Sequence, residues 1–419
     1  MNDFSGMLLQ ANLIDGKWSA ADTGATIAVT NPATGAKLGF VPNSGTAETN
    51  RAIAAATAAF ADWSRSNLSF RVGLLHKLHD ALMDHQEPLA QLLTAEQGKP
   101  LAEARGEIAI GAAYVRWFAE EVRRAKGEIV PAPTTDRRLM VTRHPVGVVG
   151  AITPWNFPMG MPHTLMMPSL MAGNTVLFKP SEEVPLIGIK YAEILNKVLP
   201  KDVLQVVVGT GEQGKKLVES DVQLITFTGS QATGKHILEN AGKGLKRVLL
   251  ELGGKDPMIV LEDADMDAAA KFAATNSFRN TGQVCVSTEQ IYVMESQEVE
   301  FIEKLKSYAK DVSLGAMIHK RQRDHVIRQV KEAIKEGAKL EMGDPDSEEL
   351  SPIILSGVTP EMNIMVDETF GPVACVVRVK NPEEAVNISN NTEYALGGVV
   401  FGQNLDEAKA LGRKLKAAM

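Results

Sequence analysis

Between Val146 and Leu252, short continuous apolar runs alternate with amphipathic stretches, and this alternation constrains the fold more than any other feature of the chain. The apolar runs are Val146 to Ile152, Thr175 to Phe178, Val203 to Val208 and Leu224 to Phe227. A helix is expected from about Leu186 to Val198, stopping before Pro200. Strands that are apolar at successive positions are buried on both faces, which predicts an α/β fold with a parallel sheet covered by helices on each side. Such sheets bind ligands beyond the carboxyl ends of their strands, so the chemistry belongs in the loops that follow them. A second α/β unit is expected after Lys255. It opens with a strand at Met258 to Leu261, then a helix capped by Asp265 or Asp267 and running through Phe272. Further on, Val326, Ile327, Val330 and Ile334 stripe a helix from about Asp324 to Glu336 that ends at Gly337. Before this core, helical patterns at Ala52 to Trp63, Leu74 to Leu82 and Leu89 to Ala95 precede Gly98 and Pro100. Residues 127–142 are polar and β-leaning, with Pro131 and Pro133, and read as an exposed hairpin or crossing strand.

Composition removes several functions. The net charge of −7 and pI near 5.7 carry no broad electrostatic footprint for nucleic acid. The basic residues Arg321, Arg323 and Arg328 alternate with acids and read as a solvated helix face. The two cysteines, Cys285 and Cys375, suit a reducing compartment. The start, Met1 to Gly6, has neither the basic nor the apolar region of a secretory leader, and no apolar run is long enough to span a bilayer. A cytoplasmic protein is expected. The histidines, including His76 and His79, do not recur with Cys, Asp or Glu at metal-ligand spacing, so no metal is expected. Met159, Met161, Met166 and Met167 read as core, or as the lining of a substrate tunnel.

Two groups carry covalent chemistry. Cys285 stands in Gly282-Gln283-Val284-Cys285-Val286, and Glu251, 34 positions earlier, opens Glu251-Leu252-Gly253-Gly254-Lys255. A thiol nucleophile and a carboxylate base suffice to form and then hydrolyse an acyl-enzyme. Gly209-Thr210-Gly211-Glu212-Gln213-Gly214 fits the G-x-G-x-x-G pattern between a strand and a helix, which suits a phosphate at a helix N-terminus. The acid expected about 20 residues later is missing. An acid lies upstream instead, in Lys179-Pro180-Ser181-Glu182. Thr153-Pro154-Trp155-Asn156-Phe157-Pro158 follows the first strand, and Glu368-Thr369-Phe370-Gly371-Pro372 reads as a turn into a strand.

Together these segments resemble the signatures of the NAD(P)-dependent aldehyde dehydrogenase family, in the family's order, from Ile14 to the end of the chain. The resemblance implies a Rossmann-type cofactor domain plus a second α/β catalytic domain. It divides the chain into 1–126 and 146–251 for NAD(P), an oligomerisation hairpin at 127–145, and a catalytic domain at 252–419. It makes Cys285 the nucleophile, Glu251 the general base, and Asn156 the side-chain donor to the oxyanion. Cofactor contacts are implied for Thr153, Trp155, Lys179, Ser181, Glu182, Gly211, Phe227, Gly229, Ser230, Leu252, Glu368 and Phe370. Lys179 and Glu182 would take the adenosine ribose, and Glu368 and Phe370 the nicotinamide side. A carboxylate at Glu182 accepts from a 2′-hydroxyl and repels a 2′-phosphate, so NAD is favoured, with NADP possible. An aldehyde is the expected substrate and a homodimer or homotetramer the expected assembly.

The sequence departs from the family pattern at three places. It stops at Met419, where members continue with a strand that pairs with a neighbouring subunit. It is shorter after Leu314-Gly315 and around Asp344 to Glu349. It carries Glu289-Gln290 where many members have Asn-Arg. Two rival readings are a catalytically silent nucleotide-binding relative and a CoA-acylating one. The amino-terminal half is similar to succinate-semialdehyde dehydrogenases, but His163-Thr164 stands where those place an arginine for the substrate carboxylate. A small or aliphatic aldehyde is therefore expected.

Overall fold

A computed structural model of the chain describes residues 9–419. The Met1 to Gly6 stretch considered above lies outside the described residues. The chain forms two compact units. One holds the residues up to Gln97 with Leu101–Glu251, and the other holds Gly98–Pro100 with Leu252–Met419.

The first unit is built on a seven-stranded sheet in the order Arg247–Glu251, Leu224–Thr228, Val148–Ile152, Thr175–Lys179, Leu204–Val206, Asn12–Ile14, Lys17–Ser19. The first five strands are parallel. Strands 148–152 and 175–179 are buried at every position, which is why they read as unbroken apolar runs. The last two form an antiparallel hairpin, so the sheet is mixed rather than parallel throughout. Their connection is Asp15-Gly16, with φ of 51° and 68°. Two left-handed residues in a two-residue loop are what a hairpin matching the strand twist requires. Leaving the 148–152 strand, the chain runs outward through 175–179 and 204–206, then returns to 224–228 on the opposite side. The order reverses between 148–152 and 224–228, and ligands bind at such a switch point.

Helices Thr46–Trp63, Leu68–Asp84, Gln86–Gln97 and Leu101–Glu121 also belong to this unit. The last lies beyond the helical patterns read in the sequence. Gly98 and Pro100 interrupt the region only briefly, because a proline just ahead of a helix sacrifices no helical hydrogen bond. Strands Glu128–Val130 and Leu139–Val141 pair antiparallel with each other and are exposed at every position. Ile129 and Met140 are the extremes, at 83% and 69% exposure.

The second unit holds a six-stranded sheet in the order Lys339–Met342, Ile353–Ser356, Val373–Val379, Thr288–Met294, Asp256–Val260, Val399–Phe401. All neighbours are parallel except the first pair. Successive residues feed opposite cores. Ile259, Tyr292 and Val377 pack in one, and Met258, Val260, Ile291 and Val293 in the other. Cys375 is buried in the first, as a strand-core residue, and burial pushes its thiol up to about 12.

Two helices differ from their expected limits. Helix Met266–Phe278 runs past Phe272, and its cap is Asp265, whose Oδ1 accepts from Asp267 N at 3.0 Å and Ala268 N at 3.1 Å. Helix Lys320–Lys335 starts before Asp324, because His319 Nδ1 accepts from Gln322 N at 3.0 Å and caps an earlier turn. Among the described residues no helix is long and apolar enough to cross a membrane.

Candidate active site

In the first unit the singled-out residues gather at the carboxyl ends of the parallel strands. Thr153, Trp155 and Asn156 follow strand 148–152, and Lys179 ends strand 175–179. Phe227 is the next-to-last residue of strand 224–228, ahead of Gly229 and Ser230, and Glu251 ends strand 247–251. Thr153 and Asn156 are each 5% exposed, and Thr153 N donates to Lys179 O at 3.2 Å, tying the two loops together.

Lys179 is buried, yet its Nζ is 3.1 Å from Glu182 Oε2. Burial lowers the ammonium's pKa and the Glu182 charge offsets part of that. Gly211, which opens helix Gly211–Glu219, stands beside the same acid. A Cβ there would lie 3.8 Å from Glu182 Oε1. Ser181 Oγ accepts from Glu183 N at 3.3 Å and shapes the turn that presents Glu182. Ser230 caps helix Gln231–Lys243, accepting from Thr233 N at 3.3 Å. Just before it, the Thr228 hydroxyl is buried with no partner. A buried cation beside an acid, two helix starts and an orphaned hydroxyl at a topological switch fit a dinucleotide. Glu251 is half-buried, and that burial raises its pKa. Its backbone carbonyl accepts Gly229 N at 3.0 Å.

In the second unit three loops converge: 252–255, which begins with the partly buried Leu252, 280–286, and 368–372. The middle loop is tightly folded. Asn280 and Thr281 take left-handed φ of 51° and 58°, followed by Gly282 at 69°. Asn280 Nδ2 donates to Gln283 O at 3.1 Å, Gln283 Nε2 donates back to Asn280 O at 3.0 Å, and Gln283 Oε1 accepts Ile318 N at 2.9 Å. Cys285 follows this knot and is only partly buried, unlike Cys375. Two glycines let the loops touch. A Cβ on Gly282 would meet Gly371 O at 2.0 Å, and one on Gly254 would meet Cys285 O at 2.5 Å.

Glu368 Oε1 accepts Gly254 N at 3.0 Å. Its carboxyl is pushed up to about 8, first by desolvation and then by the nearby Glu289 charge. Phe370 has φ of 50°, a conformation that costs a non-glycine residue about 1–3 kcal/mol and persists only where its surroundings over-determine it. Here they do. Glu289 accepts from Thr369 N and Phe370 N, each at 2.9 Å, while Gln322 Nε2 donates to Thr369 O and Phe370 O at 3.2 and 3.1 Å.

Sequence reasoning passed over the roles of Lys255, Glu289 and Thr369. Lys255 Nζ is ion-paired with Glu289 and donates to Thr369 Oγ1 at 3.1 Å. The signal was the acid itself, placed in a strand otherwise buried throughout. His163 belongs to the pair that stands where the resemblance would place an arginine. It is fully buried, its ring 4.9 Å from that of Tyr191, and burial depresses it to about 4. Thr164 is the partly exposed member of that pair, and its Oγ1 donates to Met161 O at 2.9 Å. Met159, Met166 and Met167 are core residues, and Met161 is partly exposed.

Known proteins share this arrangement over nearly its whole length. The 3-sulfolactaldehyde dehydrogenase of Pseudomonas putida is 37% identical, with 99% of this chain and 88% of that protein aligned. The NADP(+) succinate-semialdehyde dehydrogenase of Escherichia coli K12 is also 37% identical, over 99% of this chain and 90% of its own. The crystal structure of succinate-semialdehyde dehydrogenase from Burkholderia pseudomallei superposes with a TM-score of 0.96 at 37% identity, covering 99% of this chain and 89% of that one. The sequence profile of the aldehyde dehydrogenase family matches residues 18–419, which takes in every loop of the site. With its strand-end loops, its thiol turn and nearly its whole length accounted for, the chain belongs to the aldehyde dehydrogenase family.

Proposed function

We propose that the chain's activity, NAD(P)-dependent oxidation of an aldehyde to a carboxylic acid, runs through an acyl thioester on Cys285. The observation that carries this reading is the contrast between the two thiols. Cys285 is partly exposed on a hydrogen-bonded turn, whereas Cys375 is sealed in a core that suppresses its ionisation. The Cys285 thiolate attacks the aldehyde carbon, forming the C–S bond and moving the carbonyl π pair onto oxygen. The Asn156 amide and the Cys285 N–H donate to that oxyanion, a type of stabilisation worth roughly 10²–10³ in rate. A bound nicotinamide would supply the hydride acceptor for this step, and loss of hydride from the same carbon leaves a thioester on sulfur. Glu251 takes a proton from water as the water attacks the thioester, and the C–S bond breaks to release the acid. Burial raises the pKa of Glu251, which makes it a stronger base than an exposed glutamate.

Lys179, Ser181, Glu182, Gly211, Phe227, Gly229 and Ser230 would hold the adenosine and pyrophosphate end of NAD, or of NADP. Thr153, Trp155, Leu252, Glu368 and Phe370 would serve the nicotinamide end. The named relatives act on aldehydes with an acidic far end, sulfolactaldehyde and succinate semialdehyde. The uncharged Thr164 and Met161 on helix Gly160–Met171 favour a small aliphatic aldehyde instead. The exposed hairpin at 128–141, with Ile129 and Met140 outward, suits self-association into a dimer or tetramer, and the two free thiols suit a reducing, cytoplasmic setting.

The test is Cys285→Ala assayed for NADH production with butanal and with succinate semialdehyde, each with and without CoA. Loss of at least roughly 10³-fold in kcat/KM is expected. Undiminished turnover would sink the thioester. A requirement for CoA would replace hydrolysis by acyl transfer, and inactivity of the wild-type protein with every aldehyde would favour a silent relative.

A further inference from the structure

Glu289 is one of the few charged side chains buried in the second unit. It sits on strand Thr288–Met294, 2% exposed, with its carboxylate turned toward the 368–370 turn. Three groups donate to it: Thr369 N, Phe370 N and the Lys255 ammonium. Lys255 is itself 2% exposed and reaches Thr369 Oγ1 at 3.1 Å. It follows directly on Gly254, whose N–H holds the Glu368 carboxylate. The pair therefore links the loop that holds the Glu368 carboxylate to the 368–370 turn itself.

A buried ion pair can serve simply as a piece of core. That role explains little here, because an apolar pair of the same volume usually stabilises a core as well or better. Nor does it explain why the carboxylate accepts two consecutive backbone N–H groups of a turn that contains a left-handed phenylalanine. Unassisted, that turn would relax to an ordinary φ and carry Glu368 and Phe370 with it. We propose that Lys255 and Glu289 are positioning residues for the cofactor, locking the Glu368–Phe370 turn in the conformation that receives the nicotinamide ribose. This rests on the cofactor roles assigned above to Glu368 and Phe370.

Calorimetric titration of the 419-residue chain with NAD and, separately, with ADP tests the proposal. ADP carries the adenosine and pyrophosphate but lacks the nicotinamide ribose. Glu289→Gln and Lys255→Met should each weaken NAD binding by about tenfold or more, since a displaced positioning group forfeits much of its contact energy. ADP affinity should stay within about twofold. Thr369→Val keeps the shape and removes only the hydroxyl, so it decides the matter if the charge variants do not fold. It should weaken NAD alone, by about threefold. Folded variants with unchanged NAD affinity, or a fall in melting temperature with no NAD-specific loss, would show a purely structural pair and overturn the proposal. Wild-type protein that binds ADP but not NAD would instead remove the roles of Glu368 and Phe370, and this inference with them.

Discussion

The carboxylate of Glu368 accepts the Gly254 N–H at 3.0 Å while the Glu289 carboxylate lies close enough to raise its proton affinity. With a folded-state pKa of about 8 against the ordinary 4.5 of a glutamate, Glu368 binds a proton more tightly in the folded chain than in the unfolded one. Its contribution to stability is thus fully present below pH 4.5 and is lost as pH rises through about 8. Glu96, also near 8 through desolvation, contributes in the same direction. Urea unfolding between these limits should show stability falling with pH, and Glu368→Gln should flatten the fall without abolishing it. An unchanged slope in that variant would mean that Glu368 titrates as an ordinary glutamate.

Glu251→Gln should separate acylation from hydrolysis. Rapid mixing with aldehyde and NAD should give a burst of NADH close to one per site, followed by a steady state slower by roughly 10²–10⁴. In the wild-type protein, deacylation should rise with pH through the raised pKa of Glu251, since only the ionised carboxylate accepts a proton from water. A steady state as fast as wild type would assign the base to another group.

Glu182→Ala should improve NADP relative to NAD. The Lys179–Glu182 pair places an acid where a 2′-phosphate would meet like charge, and removing it leaves the buried Lys179 cation to attract the phosphate. The ratio of kcat/KM for NADP over NAD should rise by about tenfold. A ratio that does not move would place the ribose elsewhere.

Glu96 caps a helix from a distance. Its Oε1 accepts Leu186 N at 2.6 Å and its Oε2 accepts Ile187 N at 2.8 Å, satisfying two orphan donors at the start of helix Pro185–Val198. Glu96→Ala should cost about 1–3 kcal/mol in chemical denaturation, because both N–H groups are buried and no water replaces the acceptor. A loss below about 0.5 kcal/mol would mean the helix start rearranges.

Elements governed by local periodicity were legible without the structure. Strands 148–152, 175–179 and 224–228 are buried along nearly their whole length, so apolar residues fill most of their positions. The thiol turn and the glycine-flanked Glu251 were legible for a related reason, as a backbone that touches another backbone admits only glycine at the contact, as at Gly254 and Gly282. The helix after Pro100 was less accessible, since proline and glycine mark an interruption without saying what resumes beyond it.

The sequence by itself determined the α/β class, the order of the chemical segments and the identity of the one thiol set in a polar, glycine-bearing turn. Only the tertiary structure decided that Met159, Met166 and Met167 are fully buried, that Asp15-Gly16 turns an antiparallel hairpin onto the sheet, and that Lys255 answers Glu289 beneath the 368–370 turn. The reason is range. A repeat of two or of 3.6 residues is written in neighbouring positions, whereas Lys255 and Glu289 are 34 residues apart and Gly254 and Glu368 are 114 apart. Nothing in either local segment records its partner until the chain closes the loop between them.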